Sequence, residues 1–342
     1  GLQEGYAAAM EKVSRDFPKD ADIQAVCCEA IMVLQPWDLY EKSTGSTTPP
    51  WHAADKVLRP IGERVRAALE RGLTTSPDHT WLCHLRVHFC EMGPISAVDW
   101  GAVDALRRTD SVACGHLVHM PSHVDIQVGN YQRAMEDNVK AYAADLALHS
   151  LFPQRFAIYT GYLVHNMEFC AWAAMYAGAS EVALEATRQL DGFLNHEMMI
   201  STVATPMLFE AYLTTRLMVL LRFGMWDAIM DTPFKDDAEM YQSHTLLLRF
   251  VRGIAFGALS RLDEAKAEQM ALDELLDAVK PSDRLKHNVN LRLMGSIAAR
   301  VLASELFYRE GRHDDAFDQL AEAISLFDAL PYDEPHGWLM SP

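Results

Sequence analysis

Apolar residues recur every three to four positions along almost the whole chain, and the strict alternation that marks a half-buried strand is nearly absent. The periodic stretches are separated by short Gly, Pro or Asp punctuation. Gly1 to Phe17 is amphipathic and stops at Pro18, and Asp20 or Asp22 stands where it can cap a second helix. That helix runs past Glu29 to about Leu34 and ends before Pro36-Trp37-Asp38. Thr44 to Trp51, with Gly45, Pro49 and Pro50, reads as a loop, and Pro60 to Gly72 as helix. Thr75-Ser76-Pro77-Asp78 then reads as the cap of a helix that carries His84, His88 and Glu91.

Beyond this point the punctuation repeats. Gly129 is followed by Tyr131 and Ala134, Gly178 by Ala183, Gly224 by Trp226, Ser260 by Leu262 and Ala265, and Gly311 by His313 and Ala316. Each instance reads as a helix, a tight turn and a second helix with a small residue where the pair packs closely. The turns are spaced 36 to 51 residues apart, which predicts an all-α protein of stacked antiparallel helical hairpins, an α-solenoid, over residues 1–342 as a single repeat domain.

The candidate chemistry sits on three of these helices. His116, His119 and His123 follow one another at spacings of three and four within Gly115-His116-Leu117-Val118-His119-Met120-Pro121-Ser122-His123. On a helix such residues share an arc of roughly 60°. His84, His88 and Glu91 form a second set, and His165 with Glu168 a third. Imidazoles and carboxylates gathered on helical faces are the donors of a transition-metal site. His116 and His165 each lie thirteen residues before a turn glycine, His119 and Glu168 ten before, and His123 and Trp172 six before, so the polar positions recur from hairpin to hairpin. Pro121 between His119 and His123 predicts that a helix begins or kinks there. The other helical histidines, His79, His149, His196, His244, His287 and His313, read as solvated or hydrogen-bonded side chains.

The stretches Gly129-Asn130-Tyr131-Gln132-Arg133-Ala134 and Gly311-Arg312-His313-Asp314-Asp315-Ala316 resemble the turn of the tetratricopeptide repeat (TPR). With Gln35-Pro36-Trp37-Asp38, His84 through Glu91, His116 through His123 and His165-Asn166, most of the chain is similar to a group of divergent bacterial TPR-type proteins. The His-Met-Pro-Ser-His stretch is the most specific part. Glu168 stands where members of that group usually carry another histidine, and the chain ends at Gly337-Trp338-Leu339-Met340-Ser341-Pro342, where they continue into a further repeat. The resemblance implies that the first helix of each hairpin lines a concave groove. His84, His88, His116, His119, His123 and His165 would then be metal ligands there. Glu91 and Glu168 would serve as general bases or as carboxylates that orient the ligands, and Trp172 and Asn166 would hold the bound molecule.

Composition narrows the function. A net charge of −17 with Lys and Arg scattered among acids gives no basic patch for nucleic acid. No apolar run reaches the roughly 18–20 residues of a membrane helix. The six cysteines form no CxxC pair, and the bland reading is reduced, buried thiols in a cytoplasmic protein, with Cys83, Cys90 and Cys170 close to the histidines in sequence. There is no phosphate loop, no GxSxG and no HExxH. The expected cofactor is one or two transition-metal ions (zinc, iron or copper), with Glu29 and Asp38 as further supporting carboxylates. The first reading is a metal-dependent enzyme acting on a small molecule or modified amino acid in the groove. The alternative is a non-catalytic TPR module that binds a peptide or partner protein in the same groove. Trp338, Leu339 and Met340 at an uncapped solenoid end predict self-association through the C-terminal end.

Overall fold

The computed structural model describes residues 1–42, 56–109, 114–152, 157–194, 206–280, 285–286 and 288–342. The loop read over Thr44–Trp51, and His196 and His287, lie outside them. The chain divides into two compact units, Gly1–Gln154 and Arg155–Pro342. Among the described residues both are all-α apart from two short antiparallel strand pairs, one in each unit. No helix among the described residues is long and apolar enough to cross a membrane.

The first unit contains α1 (Leu2–Asp16), α2 (Ala21–Met32), β1 (Tyr40–Lys42), β2 (Lys56–Leu58), α3 (Pro60–Thr75), α4 (Thr80–Glu91), α5 (Trp100–Arg108), α6 (Gly115–His119), α7 (Pro121–Gln127) and α8 (Tyr131–Leu151). Asp20 is the residue that caps α2, its carboxylate accepting from the Ile23 amide at 3.0 Å. The cap of α4 is not the Thr75–Asp78 stretch, because α3 runs through Thr75 and Ser76 closes it. His79 takes the place: its Nε2 meets Asp22 at 3.0 Å, which leaves Nδ1 as the acceptor for the Leu82 amide at 3.3 Å. The inner faces of α4, α5 and α7 join in one apolar cluster of Cys83, Val87, Ala102, Val103, Leu106, Met120 and Val124. The strand pair, absent from the sequence reading, sets Tyr40 opposite Leu58.

The second unit contains α9 (Ala157–Ala177), α10 (Ser180–Phe193), α11 (Pro206–Tyr212), α12 (Thr214–Arg222), α13 (Trp226–Asp231), α14 (Gln242–Ala258), α15 (Leu262–Ala278), β3 (Leu285–Lys286), β4 (Val289–Asn290), α16 (Leu291–Arg309) and α17 (His313–Asp328). Here α9 pairs with α10, α14 with α15 and α16 with α17; α12 packs on α9 and α14, and α14 packs on α16.

All five repeated turns adopt the left-handed backbone that their residues suggest: φ is 80° at Gly129, 73° at Gly178, 62° at Gly224, 60° at Ser260 and 77° at Gly311. One residue later the amide reaches back to the helix just ended, as in Asn130 to the Asp125 carbonyl at 2.8 Å and Arg312 to the Phe307 carbonyl at 2.9 Å. The small residues that follow, Ala134, Ala183, Ala265 and Ala316, are all buried.

The apolar C-terminus is not an exposed end. Trp338 and Leu339 are buried in the second unit, Trp338 tilted against Phe250 at 5.3 Å between ring centres, with the Leu339 carbonyl accepting from the Trp172 indole N–H at 3.1 Å. Met340, the third residue of the run, is partly buried. The chain folds its last residues back over its own helices instead.

Gly115 opens α6 where the backbone of α8 comes closest. Its amide donates to Asp145 Oδ1 at 3.0 Å, and a Cβ at this position would overlap both the Asp145 carboxylate and the Ala141 carbonyl. Gly115→Ala is therefore expected to cost about 2–4 kcal/mol. A urea denaturation midpoint equal to that of wild type would contradict this close approach.

Candidate metal centre

α6 and α7 are a single first helix broken at Pro121. Pro121 occupies the first position of α7, where its missing N–H costs nothing, and Met120 keeps helical angles, so the path continues across the break. His116, His119 and His123 therefore stay on neighbouring turns. α4 packs against α7 and supplies His84, His88 and Glu91.

Five imidazoles of this unit, those of His84, His88, His116, His119 and His123, form one continuous cluster. Ring centres are 4.7 Å apart for His84 and His88, 5.0 Å for His84 and His116, 5.3 Å for His88 and His123, 5.9 Å for His116 and His119, and 4.6 Å for His119 and His123. His119 and His123 are buried, while His84, His88 and His116 are partly buried.

Hydrogen bonds fix which nitrogen of three of the rings, His88, His119 and His123, carries its proton. Asn138 on α8 donates through Nδ2 to the Ala134 carbonyl at 2.8 Å, so its Oδ1 faces His119 Nδ1, 2.7 Å away, as an acceptor. His119 Nδ1 is thus the donor, and its Nε2 carries the lone pair. Glu91 does the same for two rings at once. One carboxylate oxygen accepts from His88 Nδ1 at 2.5 Å and the other from His123 Nδ1. Burial pushes the Glu91 carboxyl upward, but His123 and His88, by charge and hydrogen bond, more than offset this and hold it below its ordinary value. Glu91 is therefore ionised and accepts only, and His88 and His123 also carry their lone pairs on Nε2.

These assignments leave His119 Nε2 and His123 Nε2 facing each other at 2.6 Å. Two lone pairs at that distance repel unless a proton or a cation lies between them. A proton is disfavoured, because burial lowers the pKa of both rings. For His119 the His123 ring reinforces this; for His123 the Glu91 charge opposes it without prevailing. The same holds for His84, lowered by burial and then by His88 and His116, and for His116, lowered by burial and then by His119 and His88. His84 Nε2 and His116 Nε2 also face each other, at 3.0 Å. Nitrogens sharing one tetrahedral zinc ion at about 2.0–2.1 Å stand roughly 3.3 Å apart, so the His84–His116 pair is near the spacing of shared ligands and the His119–His123 pair would have to open by some tenths of an ångström to take one.

The cysteines take no part. None of the groups able to hold an ion among the described residues contains one. Cys83 donates to the Pro77 carbonyl and is pushed up to about 11 by burial, and Cys90 donates to the Ala97 carbonyl. Cys170 is pushed up to about 12 by burial. Of the supporting carboxylates, Glu29 is exposed and Asp38 pairs with Arg59 at 3.0 Å, so within this unit Glu91 fills that role.

His165, Asn166, Glu168 and Trp172 lie on α9 in the second unit, and all four are buried. Glu168 accepts from the Thr215 hydroxyl at 2.7 Å, His165 lies against Phe169, and Trp172 is edge-on to His336. His244, read as solvated or hydrogen-bonded, is buried instead, and its Nδ1 makes no hydrogen bond among the described residues. Burial, then Lys235, push it down to about 4.

Sequence reasoning missed Asn138. The available signal was an amide one helical turn after the close-packing Ala134, on the buried face of the helix that follows the histidine-bearing one. The chain matches no protein-family model, and it matches no curated protein.

Proposed function

We propose that the first unit holds a transition-metal centre ligated by imidazoles, and that the protein is a metal-dependent enzyme acting on a small molecule or modified amino acid. The observation that carries this is the 2.6 Å approach of His119 Nε2 and His123 Nε2, with Nδ1 of each ring already committed to Asn138 or Glu91. A carboxylate or amide that holds the far nitrogen of a ligating histidine fixes its tautomer and raises its basicity. Neutral imidazole donors suit zinc, iron or copper. A bound ion of this kind supplies Lewis-acid polarisation of a substrate oxygen or activation of water.

In this reading Glu91 is a positioning residue, because both its oxygens are taken by imidazole N–H groups. The recurring left-handed turns support a TPR-like solenoid whose first helices line a groove. The test is metal content after equilibration with zinc. His119→Ala and His123→Ala are expected to lower it at least tenfold with the helical circular dichroism signal retained. His313→Ala, on the exposed start of α17, should leave it unchanged. If wild type and all three variants bind zinc, copper and iron equally weakly, the metal reading fails and a peptide-binding module takes its place.

A further inference from the structure

One nitrogen from each of His84, His88 and His116 lies within 4.8 Å of the others; His119 and His123 belong to a second set, and a third, containing His88, Glu91 and His123, joins the two. Within each of the first two sets two Nε2 atoms face each other, at 3.0 Å and 2.6 Å. Ligands on opposite sides of a single six-coordinate ion at about 2.1 Å are only about 4.2 Å apart, so one ion would gather all the nitrogens into one set. The sets are nevertheless adjacent: the rings of His116 and His119 are stacked 5.9 Å apart, and His88 meets His123 at 5.3 Å. Glu91 ties them together, holding His88 of one set and His123 of the other through its two oxygens.

Charge then says what else the site takes. The imidazoles are neutral ligands, and Glu91, the carboxylate of this unit that orients them, is short of the charge of two divalent ions. Uncompensated charge in a buried site is costly. A bound molecule that brings negative charge relieves this, and an oxygen anion between two ions is stabilised by both.

We propose that this unit holds two ions, one on His84, His88 and His116 and one on His119 and His123, and that a small substrate bridges them through an oxyanion, a carboxylate or a phosphate. This rests on the metal-centre reading above. The experiment is a cobalt(II) titration of the metal-free, full-length protein, followed by visible absorption and elemental analysis. Wild type is expected to take two equivalents. The double variant His84→Ala/His116→Ala should take one, as should His119→Gln, with the circular dichroism signal checked for each. One equivalent in wild type overturns the two-ion assignment and leaves the metal centre standing; none overturns both. Phosphate or acetate added to the two-cobalt protein should shift the absorption band, and competition between them identifies which oxyanion is preferred. A band unmoved by either overturns the bridging anion.

Discussion

Glu91→Gln is expected to lower zinc affinity by about a hundredfold or more while leaving the helical fold in place. The reason lies in the tautomers. Glu91 accepts an N–H from both His88 and His123. Glutamine has nearly the same shape but only one acceptor oxygen. Its amide group must face one of the two Nδ1 atoms as a donor, which moves that ring's proton to Nε2 and removes it as a ligand. Losing a group that orients a metal-bound histidine typically costs about 10–100-fold in affinity, and here one ring is lost as a ligand while the other loses a charged acceptor. Competition against a chelating dye measures this directly. Zinc affinity within threefold of wild type would show that the carboxylate does not set the tautomers.

The second large effect is on acid stability. Four imidazoles, His84, His116, His119 and His123, have pKa values lowered by burial, so the folded state keeps them neutral where the unfolded chain, near the ordinary value of about 6.5, binds protons. A depressed pKa contributes stability that is fully present above about pH 6.5 and is lost as pH falls toward the folded value. Each imidazole that stays neutral costs up to about 1.4 kcal/mol per pH unit below that point, so the buried pair His119 and His123 alone approaches about 3 kcal/mol per unit. Against a total stability of about 5–15 kcal/mol this is enough to unfold the metal-free unit in mild acid. His244 in the second unit, pushed down to about 4, adds in the same direction. Glu91, held below its ordinary value, adds a further loss only at lower pH. Bound metal requires the same neutral rings and should move the acid transition downward. Urea midpoints of the metal-free protein at pH 7.5, 6.5 and 5.5 are expected to fall steadily; a flat series would contradict the buried neutral cluster.

The turns were the most legible part of the sequence, because each depends on one or two local residues. Gly129, Gly178, Gly224 and Gly311 announce a left-handed backbone, and Ser260 was found there because its neighbours Leu262 and Ala265 repeat the pattern. The histidine faces of α4 and α6–α7 were legible for the same reason, since residues three and four apart on a helix must lie together. What brings α4 onto α7 is burial of Val87, Met120 and Val124 in a shared core, a long-range event that the sequence pattern only hinted at. Asn138 was hidden because a lone asparagine in a helix has no pattern. Its role exists only once α8 packs behind α6 and presents Oδ1 to His119. The place of the C-terminal residues was not legible, because an apolar Trp-Leu-Met run looks the same in sequence whether it is exposed or folds back on Phe250 and Trp172. The cap of α4, read at Thr75–Asp78, was hidden in a similar way, since a capping imidazole becomes visible only when Asp22 is seen to hold its other nitrogen.

In the proposed metal centre His84, His88, His116, His119 and His123 ligate through Nε2, while Glu91 and Asn138 stay outside as acceptors for the Nδ1 protons of His88, His123 and His119. X-ray absorption at the zinc edge of the zinc-loaded protein tests it most directly. Nitrogen neighbours at about 2.0–2.1 Å are expected, with the outer-shell scattering of imidazole rings and no sulfur shell at about 2.3 Å. A spectrum of hydrated zinc, or one with sulfur in the inner shell, would contradict it.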